Sequence, residues 1–309
     1  MNLAPLIALC PPGFEIVLAD VGSAGGLKDR WLAAREVVSA LLFEPRDGGE
    51  IKRQGRDTCY PIALGPQAGQ ATLNITALPN MSSTLQPNRA LLESYRKKFD
   101  HTRVVSTIEM PVDTLDALAK RDGIRIDAVK VDTQGSELSI LQGSQACLES
   151  SVFLAEIELS FFQRYVDQPL AGDVIAFMAG HGFELLDFYR LKRYRRLNAA
   201  GIGNVSLGGG QRLGRLAYGD ALFVLAEPRL IDRIRSLPNA DAEAAALKAI
   251  ISLIVYGKPD MAAHLFDTVA DLFEPARRLA VADALKSFAA RWWKPNYLHH
   301  MFDYLARNV

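Results

Sequence analysis

Asp132 follows a short apolar run, Ile126, Ala128, Val129 and Val131, interrupted by Asp127 and Lys130. It leads directly into Thr133, Gln134, Gly135 and Ser136. A carboxylate carried on a strand tip into a glycine turn sits where open α/β sheets gather ligands and catalytic groups. Gly135 lets the backbone turn, and Leu138, Ile140 and Leu141 predict a helix that packs back on the sheet. Asp132 can therefore accept a proton from a substrate or cap the helix that follows it. Glu156 and Glu158 form a second acidic feature, and their spacing of two puts both on one face of a strand. Asp132, Glu156 and Glu158 are the candidate catalytic residues. Two neighbouring carboxylates can also hold a divalent metal through oxygen ligands, but no third ligand can be placed, so no metal is expected.

A second strand tip lies upstream. The run from Phe14 to Ala19 ends in Asp20 and opens into Val21-Gly22-Ser23-Ala24-Gly25-Gly26. Glycine there removes the Cβ that would collide with a ligand and permits positive φ, while a following helix would offer free N–H groups. Residues 37–43 read as the next strand, and Glu44 at its end can accept both hydroxyls of a ribose. Nicotinamide dehydrogenases and S-adenosylmethionine-dependent methyltransferases share these features. Asp20 separates them: an acid ahead of the glycines disfavours a pyrophosphate and suits the cationic end of S-adenosylmethionine. The spacing Asp-x-Gly-x-x-Gly-Gly also fits Gly-x-Gly-x-x-Gly poorly.

Over residues 14–226 the sequence resembles the FkbM-type methyltransferases. The resemblance is carried by Asp20-Val21-Gly22 with Gly26, Phe43-Glu44-Pro45, Ala63-Leu64-Gly65, Ser82-Ser83, Thr114-Leu115-Asp116, Lys130-Val131-Asp132 with Gly135 and Glu137, Glu156-Ile157-Glu158, Gly182-Phe183 and Asp220-Ala221-Leu222-Phe223. It implies an α/β fold with a Rossmann-like, doubly wound, mostly parallel sheet. It also implies S-adenosylmethionine as methyl donor and O-methylation of a glycan or secondary metabolite. Carried over position by position, the cofactor-binding residues are Asp20, Gly22, Ser23, Gly25, Gly26, Glu44, Ala63, Leu64, Ser82 and Ser83. Ser23 and Ala24 replace the asparagine usual in the first glycine turn, and Pro66 replaces an acid often found after Ala-Leu-Gly.

The 309 residues, 49% hydrophobic, can bury a sizeable core. Lys plus Arg and Asp plus Glu are both 35, and a neutral whole argues against an overall electrostatic attraction to nucleic acid or an anionic membrane, though local charge still matters. Cys10, Cys59 and Cys147 fit neither a disulfide framework nor a zinc spacing, which points to reduced thiols and a cytoplasmic protein. Residues 1–10 lack the basic flank of a signal peptide, and residues 244–256 fall short of a membrane span, so no transmembrane segment is expected.

Strand patterns at 60–64, 71–77, 103–110, 152–158, 183–189 and 221–225 alternate with helical ones, which predicts a parallel, doubly wound sheet. The expected division is a cofactor-binding domain over 1–227 and a C-terminal all-helical appendage over 228–309. In the appendage Leu247, Ile250, Ile251 and Ile254 form a core-facing stripe, and Trp292, Trp293 and Tyr297 anchor the bundle or a second copy in a homo-oligomer. Residues 189–219 hold seven cations (Arg190, Lys192, Arg193, Arg195, Arg196, Arg212 and Arg215), no acid and many glycines. They predict a loop-rich insertion that overhangs the site if the last strand is antiparallel. Arg193, Arg195 and Arg196 would then meet an anionic acceptor, or they form a solvated face. His181, between Gly180 and Gly182, reads as a helix-end residue. An RNA ribose methyltransferase using Lys130 beside Asp132, and a catalytically silent scaffold, are the alternative readings.

Overall fold

The computed structural model describes residues 2–23, 26–95, 98–202 and 213–292, and the chain divides into two compact units. One comprises residues 16–27 and 39–226. The other comprises residues 1–15, 28–38 and those from Glu227 onward, so two N-terminal segments group with the helical appendage.

Eleven strands follow in chain order: β1 (Ile16–Val21), β2 (Val38–Phe43), β3 (Lys52–Gln54), β4 (Asp57–Tyr60), β5 (Ala63–Leu64), β6 (Gly69–Thr76), β7 (Val104–Asp113), β8 (Ala128–Val131), β9 (Leu154–Ser160), β10 (Phe183–Tyr194) and β11 (Arg215–Leu225). Eight form the main sheet in the order β10-β11-β9-β8-β1-β2-β4-β3. Strand β8 runs parallel to β1 and β9, and β2 runs parallel to β4. Strand β11 is antiparallel to both β9 and β10. Every residue of β2, β8 and β9 is buried, which explains their nearly continuous apolar sequences. The order reverses between β1 and β8, and a doubly wound sheet opens its ligand crevice at that point.

Three expectations change. Residues 60–64 do not form one strand, because Pro61, which lacks an N–H, separates β4 from β5. Strands β5, β6 and β7 leave the main sheet and form a second one in the order β5-β7-β6; β7, exposed along much of its length, is unsuited to a sheet covered on both faces. Both ends of 189–219 are strand rather than loop. Strand β10 continues to Tyr194 and β11 begins at Arg215, so the two project as an antiparallel arm past Ser160, the last residue of β9. Residues 203–212, Arg212 included, lie outside the described residues.

Aromatic packing anchors the arm. Tyr194 meets Tyr95 edge-on at 5.6 Å and Phe162 at 5.7 Å, and Tyr95 stacks on Phe162 at 5.5 Å. Leu92 and Ala217 complete this buried cluster. Arg196 lies 5.3 Å above Tyr95 and Arg215 lies 4.5 Å above Phe162, so two of the arm's cations cover its own aromatic base.

In the second unit, helix Asn239–Val255 forms the core, with Leu247, Ile250, Ile251 and Ile254 fully buried. Helices Glu227–Arg235, Pro259–Val269 and Pro275–Trp292 belong to the same unit. Residues 29–37 form a 3-10 segment kinked at Ala34 rather than a regular amphipathic helix, and Trp31 meets Tyr256 edge-on at 5.7 Å. Trp292 is the last described residue; Trp293 and Tyr297 lie outside that range. The three cysteines are free, and burial pushes the Cys10 thiol up to about 11 and Cys147 to about 12, beyond reactive range. No described helix is long and apolar enough to cross a membrane.

Gly22 has a φ of +79°, and a Cβ there would run into the Asp132 carbonyl. Gly26 is also left-handed, at +84°, but faces open space. Gly22→Ala should therefore cost roughly 2–4 kcal/mol, strain plus collision, and Gly26→Ala about 1 kcal/mol, measured by urea unfolding. Equal losses would show that the two strand tips do not pack as described.

Candidate active site

Register places the chemistry on one face of the sheet. Asp20, Lys130 and Glu156 are successive partners across β1, β8 and β9. Two residues further along, Asp132 and Glu158 return to the same face, and Glu158 pairs with Asp220 of β11. Glu137 opens the helix after the Asp132 turn. Six carboxyls thus gather around the carboxyl ends of β8, β9 and their neighbours, and two buried cations answer them.

The first cation is Lys130, whose Nζ lies 3.0 Å from Asp20 Oδ1 with both side chains buried. Burial alone would lower the Lys130 pKa, but Asp20, Asp132 and Glu156 outweigh it and hold the ammonium charged. Asp20 therefore lies behind the crevice, fully buried, and faces Lys130 rather than solvent. The pairing also removes Lys130 from any role on nucleic-acid phosphates.

The second cation is Arg164, on the loop after β9. Its guanidinium donates to Glu158 at 2.6 Å, to Ser160 Oγ, and to Gln134 Oε1 at 3.3 Å, and it stacks 4.3 Å above Tyr218. Burial pushes the Glu158 carboxyl up to about 8 against the pull of Arg164, with Asp132 and Glu137 adding to the rise. Glu158, predicted as catalytic, is locked in this pair. Glu156 is also buried, beside Lys130.

Asp132 is only partly buried. Its Oδ1 accepts a 2.9 Å bond from Gln134 Nε2, which also reaches both Glu158 oxygens at 3.3 and 3.2 Å. Gln134 holds a left-handed φ of 61°, costly for a residue with a side chain. The turn is kept there by its surroundings. Ser83 Oγ donates to the Gln134 carbonyl at 2.8 Å, while Glu137 accepts from the Thr133 and Gly135 amides at 2.9 and 3.0 Å. Asp132 is not the cap of the following helix: Ser136 precedes it, and Asp132 bonds to Gln134 instead.

The first glycine turn sits beside this one. The Gly22 and Ser23 amides both donate to the Phe43 carbonyl at 3.1 and 3.3 Å, and Gly26 donates to Ser23 at 2.8 Å. Those N–H groups are engaged within the chain, so they offer little to a pyrophosphate. Glu44 stands one residue beyond Phe43, and both its oxygens bond Arg46, at 2.8 and 2.6 Å. Burial would raise its pKa, but Arg46 holds it below the usual carboxylate range. A carboxylate has capacity for further donors on the same oxygens.

The other expected cofactor residues have structural partners of their own or lie in the second sheet. Ser82 Oγ accepts from the Thr76 amide, and Ser83 is the buried latch on Gln134. Ala63 and Leu64 form β5 of the second sheet. Gly25 lies outside the described residues. Arg193 donates to the Gly214 carbonyl, Arg196 covers Tyr95, and Arg195 is exposed, all on the arm. His181 Nδ1 lies 2.9 Å from the Phe177 carbonyl at the helix end, a structural role. Among the described residues no group of three or more His, Cys, Asp or Glu is arranged to hold a metal.

The chain belongs to the FkbM methyltransferase family: the family model, "Methyltransferase FkbM domain", matches residues 28–185. Among solved structures it is similar to a methyltransferase FkbM from Methylobacillus flagellatus KT, at 13% identity and a TM-score of 0.33. The match covers 68% of this chain and 43% of that one, so the chain spans less than half the length of that relative. No curated protein matches the chain.

Sequence reasoning missed Gln134, Arg164 and Asp220 as parts of the site. Asp220 is half-buried, and burial, then Asp132 and Glu156, push its pKa up to about 6 against Lys130 and Arg190. Its folded pKa lies above the unfolded value, so the stability tied to it is full below about 4 and is lost as pH rises through about 6. Asp220→Asn should remove a loss on the order of 2 kcal/mol between those limits. Urea unfolding at several pH values checks this, and identical pH curves for the two proteins would refute the assignment.

Proposed function

We propose that the protein transfers a methyl group from S-adenosylmethionine to a hydroxyl oxygen of a glycan or secondary metabolite, with Asp132 accepting the hydroxyl proton. Asp132 carries this reading: a partly exposed carboxylate on the switch-point strand tip, tethered through Oδ1 and packed by its carbonyl against the glycine turn. The donor set suits S-adenosylmethionine. The turn amides are already bonded internally, which disfavours a pyrophosphate, whereas an acid-lined crevice favours a sulfonium cation. Gly22, Ser23 and Gly26 would line it, Glu44 would accept the ribose hydroxyls, and Asp20 acts from behind through Lys130. The bound donor supplies an electrophilic methyl group.

The chain's own contribution is positioning and proton transfer. Gln134 orients Asp132, the Arg164–Glu158 pair fixes Gln134, and the freer oxygen of Asp132 takes the proton as the acceptor oxygen attacks. Glu156 and Glu158, buried beside cations, serve the charge balance of the site rather than proton transfer. The arm residues Arg193, Arg195 and Arg196 would favour an acceptor that bears negative charge or is presented by an anionic carrier.

Calorimetric titration with S-adenosylmethionine should give binding that Glu44→Ala weakens by roughly 1.5–3 kcal/mol through loss of charge-assisted bonds. Tighter binding of NAD, or unchanged affinity in the variant, would overturn the donor assignment. Asp132→Asn should keep donor affinity yet lower transfer of labelled methyl groups to hydroxyl acceptors by about 10²- to 10⁴-fold. Wild-type turnover in that variant would move the base elsewhere.

A further inference from the structure

The arm of β10 and β11 interleaves cations with exposed apolar side chains. Leu191, Leu197 and Ile202 are 50%, 58% and 62% exposed, and they lie along the chain among the exposed Arg190, Lys192, Arg193, Arg195 and Arg196. These apolar groups project from an ordered backbone. Lys192 and Arg193 pair with Tyr218 and Leu216, and Arg196 bridges Tyr95. The Leu197 amide donates to the Ser94 carbonyl at 2.9 Å. Asn198 closes the next turn, accepting from the Ile202 amide at 3.0 Å and donating to its carbonyl at 2.8 Å. Beneath Arg196, the Tyr95 hydroxyl is buried with no hydrogen-bond partner among the described residues.

Charge is segregated on the scale of the whole chain. Residues 189–219 carry seven cations and no acid in a neutral chain, so the remaining residues are net −7. Cations concentrated in one segment are attracted to an anionic surface even when the whole chain is neutral. A soluble polyanion accounts for the cations but leaves three large apolar side chains in water. A bilayer with anionic headgroups takes both, the cations among phosphates and the apolar groups at the acyl boundary. We propose that the β10–β11 arm is a peripheral docking element that seats the protein on an anionic lipid bilayer. The arm projects past the carboxyl end of β9, the edge that also carries Asp132, so docking brings that edge toward the membrane. The proposal stands independently of the methyl-transfer reading.

Co-sedimentation with phosphatidylcholine vesicles, with and without about one third phosphatidylglycerol, tests it. Binding should require the anionic lipid and weaken with salt. Each cation near the surface adds about five-fold to binding, so Arg193→Gln, Arg195→Gln and Arg196→Gln together should lose about 100-fold. Leu191→Ser, Leu197→Ser and Ile202→Ser together should lose roughly 10-fold on the same vesicles, while binding to heparin stays unchanged. Circular dichroism of both triple variants should match wild type. Equal binding to neutral and anionic vesicles, absence of vesicle binding, or a serine variant that binds vesicles as tightly as wild type would overturn the proposal.

Discussion

Six carboxyls on one edge of a sheet repel one another, and the architecture of the larger unit answers that repulsion with two buried cations. Lys130 lies in the acid row itself, between Asp20 and Glu156 in register, and Arg164 reaches in from the loop after β9 to meet Glu158. Burying such pairs is not a gain in stability by itself, since desolvation offsets much of the Coulomb attraction. Removing one partner is costly, because it leaves a charge uncompensated in a low-dielectric interior. The pairs therefore fix the site in one arrangement, and the strands on either side must keep their register for both to form.

The same pairs leave Asp132 without a fixed cation. With Glu158 bound to Arg164 and Asp20 bound to Lys130, Asp132 makes its hydrogen bond to a neutral amide rather than to a fixed cation. That amide belongs to Gln134, whose left-handed backbone persists because Ser83, Glu137 and Arg164 hold the turn from three sides. Gly22 completes the arrangement from the neighbouring strand, since only a residue without Cβ lets the first turn pack on the Asp132 carbonyl. The proposed donor crevice and the proposed proton acceptor thus share a wall.

Much of this was legible in the sequence where local pattern and function coincide. The strands ending at Val21, Phe43 and Val131 lie where their apolar runs end, and the stripe of Leu247, Ile250, Ile251 and Ile254 is core. Long-range pairing was not legible. Nothing near Arg164 says that it folds back on Glu158, and nothing near Asp220 says that β11 brings it into line with that residue. The serines at 82 and 83 were legible as small polar residues that serve ligands and tight turns equally well, but their bonds to Thr76 and Gln134 were not. The arm was hidden by its composition. Its glycines signal loop, while its pairing rests on Tyr194 and Ala217 packing against Tyr95 and Phe162, residues distant in sequence.

Charge zoning along one hairpin constrains what can approach Asp132 on the proposed reading. An anion about 6 Å from Asp132 or Asp220 would meet a repulsion of about 3 kcal/mol from each at an effective dielectric of 20, and Arg164 and Lys130 are already committed to their own partners. The same anion is attracted at Arg215, five residues back along β11 and, at strand rise, about 17 Å from Asp220. An acceptor or carrier with negative charge therefore arrives oriented, its uncharged hydroxyl end toward the acid row and its anionic end toward the arm. Orientation of this kind requires no contact with the reacting atoms. It follows from placing the acids on the sheet edge and the cations on the strands that extend beyond it.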